Sequence, residues 1–160
     1  MTCLKYLAAG LLALSANVAA AEITDPYCPL TFAPPGKWEQ SESGYFRLAA
    51  ADGAELTGMP IPDSAHGEPL EQVDQKASYF HSMSFGSTNP SAPEQVSGKG
   101  WKGLLRQQTT ALGPEFQFVV RSEQATCLYY LRVPADASPT RAQELRQVLL
   151  SVRPSAGPQS

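Results

Sequence analysis

A chain of 160 residues with 12 Lys and Arg against 15 Asp and Glu carries a net charge of −3, which argues against a nucleic-acid partner, because clustered basic charge is the usual footprint of one. The length suits one domain. Beyond residue 21 no stretch is long and apolar enough to span a bilayer.

The chain opens as an export signal. Lys5 precedes the Leu- and Ala-rich run LAAGLLALSANVAAA, which ends in Ala19-Ala20-Ala21, the small-x-small pattern that signal peptidase reads. Residues 1–21 are therefore expected to be a cleaved signal peptide, placing the mature chain in the periplasm. No lipid or membrane anchor is expected, since Cys3 comes too early to be a lipidation site and Cys28 lies beyond Glu22 and Asp25. Loss of Lys5 takes the net charge from −3 to about −4, and loss of Cys3 leaves one pair, Cys28 and Cys127. An even pair in an oxidising compartment reads as a disulfide. Its loop of about a hundred residues implies roughly 4–5 kcal/mol of stabilisation as an upper figure.

Residues 22–28 (EITDPYC) read as a lead-in tethered by Cys28. Leu30 to Phe32 reads as a short strand before a turn at Pro34-Pro35-Gly36. Trp38 is expected to pack back on the core. YFRLAAA at 45–51 and AELTGMPIP at 54–62 form a hairpin around Asp52-Gly53, with Leu56 facing inward. From Pro69 the period changes. Leu70, Val73, Ala77 and Phe80 recur at helical spacing and predict a helix over 69–83. Pro69 suits its first position, and Glu68, Glu71 and Asp74 meet the positive end of its dipole. Residues 86–95 form a polar loop. A long strand runs from Trp101 to Thr110, with a bulge expected at Gly103. Phe116, Phe118 and Val120 alternate with Gln117, Val119 and Arg121; Cys127, Tyr129, Leu131 and Val133 alternate with Leu128, Tyr130 and Arg132. These are strands with unlike faces. Ser138 caps a final helix with Pro139 just inside; Ala142, Leu145, Leu149 and Val152 mark its buried face, and Pro154 stops it.

Strands in runs with two helices predict an α+β domain with an antiparallel sheet of six to seven strands. The order and several signatures resemble the PsbP-like (Mog/PsbP) fold family: an early strand followed by PPGKW, the hairpin YFRLAAADGAELTG, the helix at 69–83, EQVSGKGWKGLLRQQ, the strands FQFVVRS and CLYYLRV, and a closing helix ending LLSVRP. The resemblance implies an α/β/α sandwich over 22–154, with 155–160 a disordered tail. It also implies binding to other proteins in place of catalysis, since members include photosystem accessory subunits, a nuclear transport factor, envelope proteins and toxin-neutralising proteins. A small exported member resembles the periplasmic immunity proteins paired with type VI secretion effectors.

The residues offer little catalytic chemistry. Gly98 to Gly103 matches GxGxxG, but strand-like residues follow where a nucleotide site needs a helix N-terminus. His66 and His81 have no metal-ligand spacing, so no zinc is expected. No G-x-S-x-G or S-x-x-K frames a serine nucleophile. Glu68 with Glu71, and Asp52 with Glu55, read as dipole and turn chemistry rather than as glycosidase pairs. No calcium loop is present, and no cofactor is expected. Tyr129 and Tyr130 point to opposite faces, making at least one a candidate exposed anchor, and Tyr45, Phe46, Tyr79 and Trp101 are further candidates. The expectation is thus a non-enzymatic protein, monomeric when free, that blocks the cleft of a secreted effector, such as a cell-wall hydrolase, through Pro60, Asp63 and His66 in the 58–68 loop, Glu94 in the 86–95 loop, and Tyr130. The acidic loop residues would meet a basic cleft. A general envelope accessory factor and an enzyme with an unfamiliar site remain the alternatives.

Overall fold

The computed structural model describes residues 20–41, 44–87 and 89–156. Residues 1–19, which hold most of the expected signal peptide and Cys3, and residues 157–160 lie outside the described residues.

Seven strands form one antiparallel sheet. In chain order they are β3 (Trp38–Gln40), β4 (Phe46–Ala50), β5 (Glu55–Pro60), β6 (Glu94–Gly98), β7 (Trp101–Thr110), β8 (Gly113–Ser122) and β9 (Thr126–Arg132). In space the order is β3-β4-β5-β9-β8-β7-β6. A smaller sheet joins β1 (Ile23–Thr24), β2 (Leu30–Phe32) and β10 (Arg153–Pro154), with β2 in the middle. The helices are α1 (Leu70–Phe85) and α2 (Pro139–Leu150). This is the α+β class expected from the sequence.

The period-2 alternation of β8 and β9 sorts their side chains onto two faces. Phe116, Phe118, Val120, Tyr129 and Leu131 cluster with Leu30 and Phe32 of the small sheet and with Leu145, Val148 and Leu149 of α2. Each fully buried leucine here is worth about 1.5–3 kcal/mol. Val119, Leu128 and Tyr130 on the opposite face join Leu104 of β7 beneath Leu70, Val73 and Ala77 of α1. The two helices therefore cover opposite faces.

The α2 face is closed covalently as well. Cys28 is bonded to Cys127, 99 residues later, with Cα atoms 6.5 Å apart, tying the lead-in to β9. Asp25 completes this closure. It accepts the backbone N–H groups of Tyr27 at 2.8 Å and Cys28 at 3.2 Å, and the Tyr129 hydroxyl at 2.8 Å. Burial pushes the Asp25 carboxyl above its ordinary value, with those hydrogen bonds opposing.

Several local expectations hold. The Ser138 hydroxyl accepts the Arg141 N–H at 3.1 Å as an N-cap, with Pro139 following. Leu56 is buried, and the hairpin turns at Asp52-Gly53, where Gly53 has φ +90°. Others are corrected. The β7–β8 register runs unbroken through Gly103, so there is no bulge. That glycine serves close packing, because a Cβ there would lie 2.6 Å from the Val119 carbonyl oxygen and 2.7 Å from Phe118. The GxGxxG segment is the β6–β7 hairpin, with Gly98 paired to Trp101 and Gly100 at φ +79°. Trp38, at the start of β3, packs on the core as expected, whereas Pro154 belongs to β10, paired with Leu30, beyond a helix that has already ended at Leu150. Pro69 sits one place outside α1, as its N-cap.

The largest correction concerns α1. Phe80 is 64% exposed, and Asp74 is fully buried. At about 100° per residue, Phe80 falls some 80° short of three full turns from Leu70, whereas residue 81 falls only about 20° past them. The buried seam therefore continues through His81, whose side chain is 10% exposed.

Candidate functional site

The face of the sheet under α1 is built in rows. Register places Leu104, Val119, Leu128 and Met59 in one row; Arg106, Gln117, Tyr130 and Thr57 in the next; and Gln108, Glu115, Arg132 and Glu55 in a third. The rows run from apolar through mixed to charged. α1 packs mainly against β7 and β8, which leaves the β9 and β5 ends of these rows beside it as the floor of a trough.

Under the helix most of the polar groups pair with one another, while Gln117 Oε1 is buried without a partner among the described residues. Asp74 accepts Arg106 Nε at 3.1 Å and a second guanidinium nitrogen, and Gln117 Nε2 at 2.7 Å. Gln117 also donates to the Asp74 carbonyl oxygen at 3.1 Å. One turn before the end of α1, the His81 ring stacks on Tyr130 with centroids 3.9 Å apart and lies 4.8 Å from Phe85. Its Nε2 lies against the Glu115 carboxylate without the alignment of a hydrogen bond. Gln108 Nε2 donates to Glu115 at 2.6 Å. The Tyr130 hydroxyl donates to the Ala77 carbonyl oxygen at 3.4 Å. Burial, with the charges of Glu115 and Asp74, raises its phenol far above the ordinary value, so Tyr130 is a neutral packing group with a polar tip.

The trough comprises two adjoining pockets. An apolar part of about 460 Å³ is lined by Met59, Ile61, Val73, Ala77, Phe80 and Leu128. A second part of about 290 Å³ is lined by Tyr45, Glu55, Phe85, Leu112, Glu115 and Arg132. Met59, His81, Phe85 and Tyr130 border both. Tyr45, Met59, Phe80, Phe85 and Leu112 are exposed large apolar residues that converge on it. Above the trough, the solvent side of α1 changes character along its length. Glu71, Gln72, Gln75 and Lys76 give way to Tyr79, Phe80 and Met83, which are 61%, 64% and 69% exposed. These three form an apolar ridge.

A serine nucleophile activated by His81 would need its hydroxyl free beside the ring. The nearby hydroxyls of Ser82 and Ser84 instead donate to the carbonyl oxygens of Tyr79 at 2.7 Å and Phe80 at 3.1 Å. Among the described residues no group of three His, Cys, Asp or Glu side chains is placed to hold a metal ion, and no helix is long and apolar enough to cross a membrane. A larger polar cleft of about 560 Å³ lies between the start of α1 and β6–β7. Its Arg121 is committed to structure, donating to Thr126 Oγ1 at 2.8 Å and to the carbonyl oxygens of Glu68 at 2.7 Å and Ala65 at 3.2 Å.

The residues singled out from sequence do not fall on one patch. Pro60 ends β5, paired with Cys127, and Asp63 opens a single 3-10 turn over Asp63–Ala65. His66 Nδ1 is 3.0 Å from Thr126 Oγ1. These three share one end of the molecule, next to the Ile61 end of the trough. Glu94 lies on β6, four strand positions from β5, and pairs with Arg146 of α2 at 2.7 Å. Tyr129 is fully buried and Tyr130 is 8% exposed, so neither tyrosine is an exposed anchor. From Thr126 to Leu131 the side chains on both faces of β9 are buried, which alternation alone does not reveal.

No family model matches the sequence, and no curated protein matches it significantly. Solved structures do match. The solution structure of cyanobacterial PsbP (CyanoP) from Synechocystis sp. PCC 6803 superposes with a TM-score of 0.60, covering 91% of this chain and 96% of that one at 11% identity. The chain has a PsbP-like fold. At that identity the likeness shows the fold alone, and no site residue is carried across from PsbP.

Proposed function

We propose that this protein is an exported binding module whose partner docks on the Tyr79–Phe80–Met83 ridge of α1, and that the partner is a secreted antibacterial effector, with a cell-wall hydrolase as the leading class. The reading is supported chiefly by the ridge itself. Contiguous exposed apolar side chains on a small domain mark interaction surfaces, and aromatic residues and Met are the types enriched in them. In this reading the loop carrying Asp63 and His66, held by Arg121, lies next to the docked partner and offers an acid to a basic cleft. Glu94 is outside the contact. The protein acts by covering its partner and makes no covalent change to it.

The test begins with a pull-down of the tagged mature protein from envelope and secreted fractions. A captured hydrolase must then be inhibited by the purified domain. Met83→Glu and Phe80→Asp are expected to abolish capture and inhibition while leaving the folding stability within about 0.5 kcal/mol of the parent, as for exposed sites generally. Unchanged inhibition by both variants would overturn the reading. Capture of a resident envelope complex, through the same ridge and without inhibition of any effector, would replace it with the accessory-factor reading.

A further inference from the structure

We propose that the trough beside α1 binds a single-chain amphiphile with a carboxylate head, its tail lying in the apolar part against Val73, Ala77 and Leu128 and its head at Arg132. This goes beyond the partner reading and does not depend on it.

The size and lining suit a hydrocarbon chain. The apolar part, about 460 Å³, falls in the range of ligand sites, roughly 300–1,000 Å³. The floor follows β5 from Glu55 to Pro60, a run of about 20 Å at 3.3 Å per residue. An α-helix of that length, about 10 Å across, would displace on the order of 1,600 Å³. It would rest on the rim without filling the trough. An extended peptide would bring backbone N–H and C=O groups into an apolar lining that cannot pair them. A methylene chain has neither problem.

The charged end supplies the complement to a carboxylate. Arg132 Nε is buried and has no hydrogen-bond partner. Among the described residues the Arg132 guanidinium reaches a carboxylate only at 3.8 Å, on Glu55, and Glu55 is already paired with Arg47. Glu115, the cross-strand neighbour of Arg132, is turned to His81 and Gln108. Two guanidiniums therefore share one carboxylate, and Arg132 keeps donors to spare, in the fork that takes a carboxylate through two bonds. Phe85, Tyr45 and Leu112 line this end beside Arg132, whose side chain is 37% exposed.

The experiment is calorimetric titration of the delipidated mature domain with dodecanoate below its micellar range, with dodecanol as the uncharged control. One equivalent of dodecanoate is expected to bind. Arg132→Gln should weaken dodecanoate at least tenfold and leave dodecanol unchanged. Met59→Glu, at an exposed position bordering both parts of the trough, should abolish binding of both ligands. Thermal melts of each variant confirm folding. Absence of saturable binding, uptake of several equivalents, or equal dodecanoate affinity in the parent and Arg132→Gln would each overturn the proposal. None of these outcomes bears on the ridge, because Tyr79 and Met83 are untouched.

Discussion

Removing the Asp74 carboxylate tests the account of the α1–sheet contact. Asp74 is fully buried and Arg106 is 10% exposed at its side chain, so Asp74→Leu leaves a guanidinium stranded under a helix with no other carboxylate partner shown for it. Breaking one side of a buried pair typically costs about 3–5 kcal/mol, most of it the desolvation of the orphaned charge. Gln117 loses its contact to Oδ1 but keeps the Asp74 carbonyl oxygen at 3.1 Å, so it adds little. With a urea m-value of about 2 kcal/mol/M, the midpoint should fall by roughly 1.5–2.5 M. The double variant Asp74→Leu, Arg106→Met removes both charges and should recover most of the loss, because apolar replacements of buried pairs are often neutral or better. Urea unfolding of the parent, both single variants and the double variant closes the cycle. A cost below about 1 kcal/mol for Asp74→Leu, or a double variant as unstable as the two singles summed, would refute the reasoning, for then the pair is not desolvated as described.

Two further outcomes follow from the packing and the titration of single groups. Gly103→Ala places a methyl group against the Val119 carbonyl oxygen and the Phe118 ring, and should destabilise by about 1–3 kcal/mol; a neutral result in the same urea assay would mean that β7 and β8 can separate there. Asp25 has a raised folded pKa, so the native state holds its proton more tightly than the unfolded chain, and this contribution to stability grows as pH falls through the raised value towards the ordinary 3.8. Asp25→Asn keeps an oxygen for the Tyr27 and Cys28 N–H groups but cannot titrate, so the stability of the parent relative to the variant should rise from neutral pH to roughly pH 4. A difference that falls on acidification would reverse the assigned shift.

What the sequence disclosed depended on how far each element is determined by its own side chains. β8 and β9 were legible because each sends strictly alternating residues to two different environments. α2 was legible because Ser138 and Pro139 fix its start and Leu145 and Leu149 its face. β1, β3, β6 and β10 are two to five residues long, too short to show a period, and exist because a neighbour offers them a hydrogen-bonding edge. The apolar seam of α1 follows the sequence reading up to Ala77, Asp74 aside, and departs from it afterwards, since a seam drawn at spacings of three and four, rounded in one direction, drifts off a helix of 3.6 residues per turn. The signal was present: His81 stands four residues from Ala77 and seven from Asp74. A rule that expects only apolar residues on a buried face passes over both Asp74 and His81. The Glu94–Arg146 pair and the spare donors of Arg132 could not have been read at all, because they depend on which strands lie next to which.

The two faces of the sheet differ in a way that bears on function. The α2 face is sealed by a helix, a second sheet and a disulfide, and its side chains explain themselves by burial. The α1 face has one helix, rows of polar side chains, and an apolar ridge turned to solvent. Lys or Glu at positions 79, 80 and 83 would fold at least as well, since both exceed Tyr and Phe in helix propensity by a few tenths of a kcal/mol and would remove an aggregation-prone surface. Folding therefore does not account for Tyr79, Phe80 and Met83, which is the ground on which the proposed docking surface rests. Phe80 belongs to both the ridge and the trough rim, so a change there moves both readings together. Met83 belongs to the ridge and Arg132 to the trough, and it is the contrast between Met83→Glu and Arg132→Gln that separates a surface for proteins from a cleft for amphiphiles.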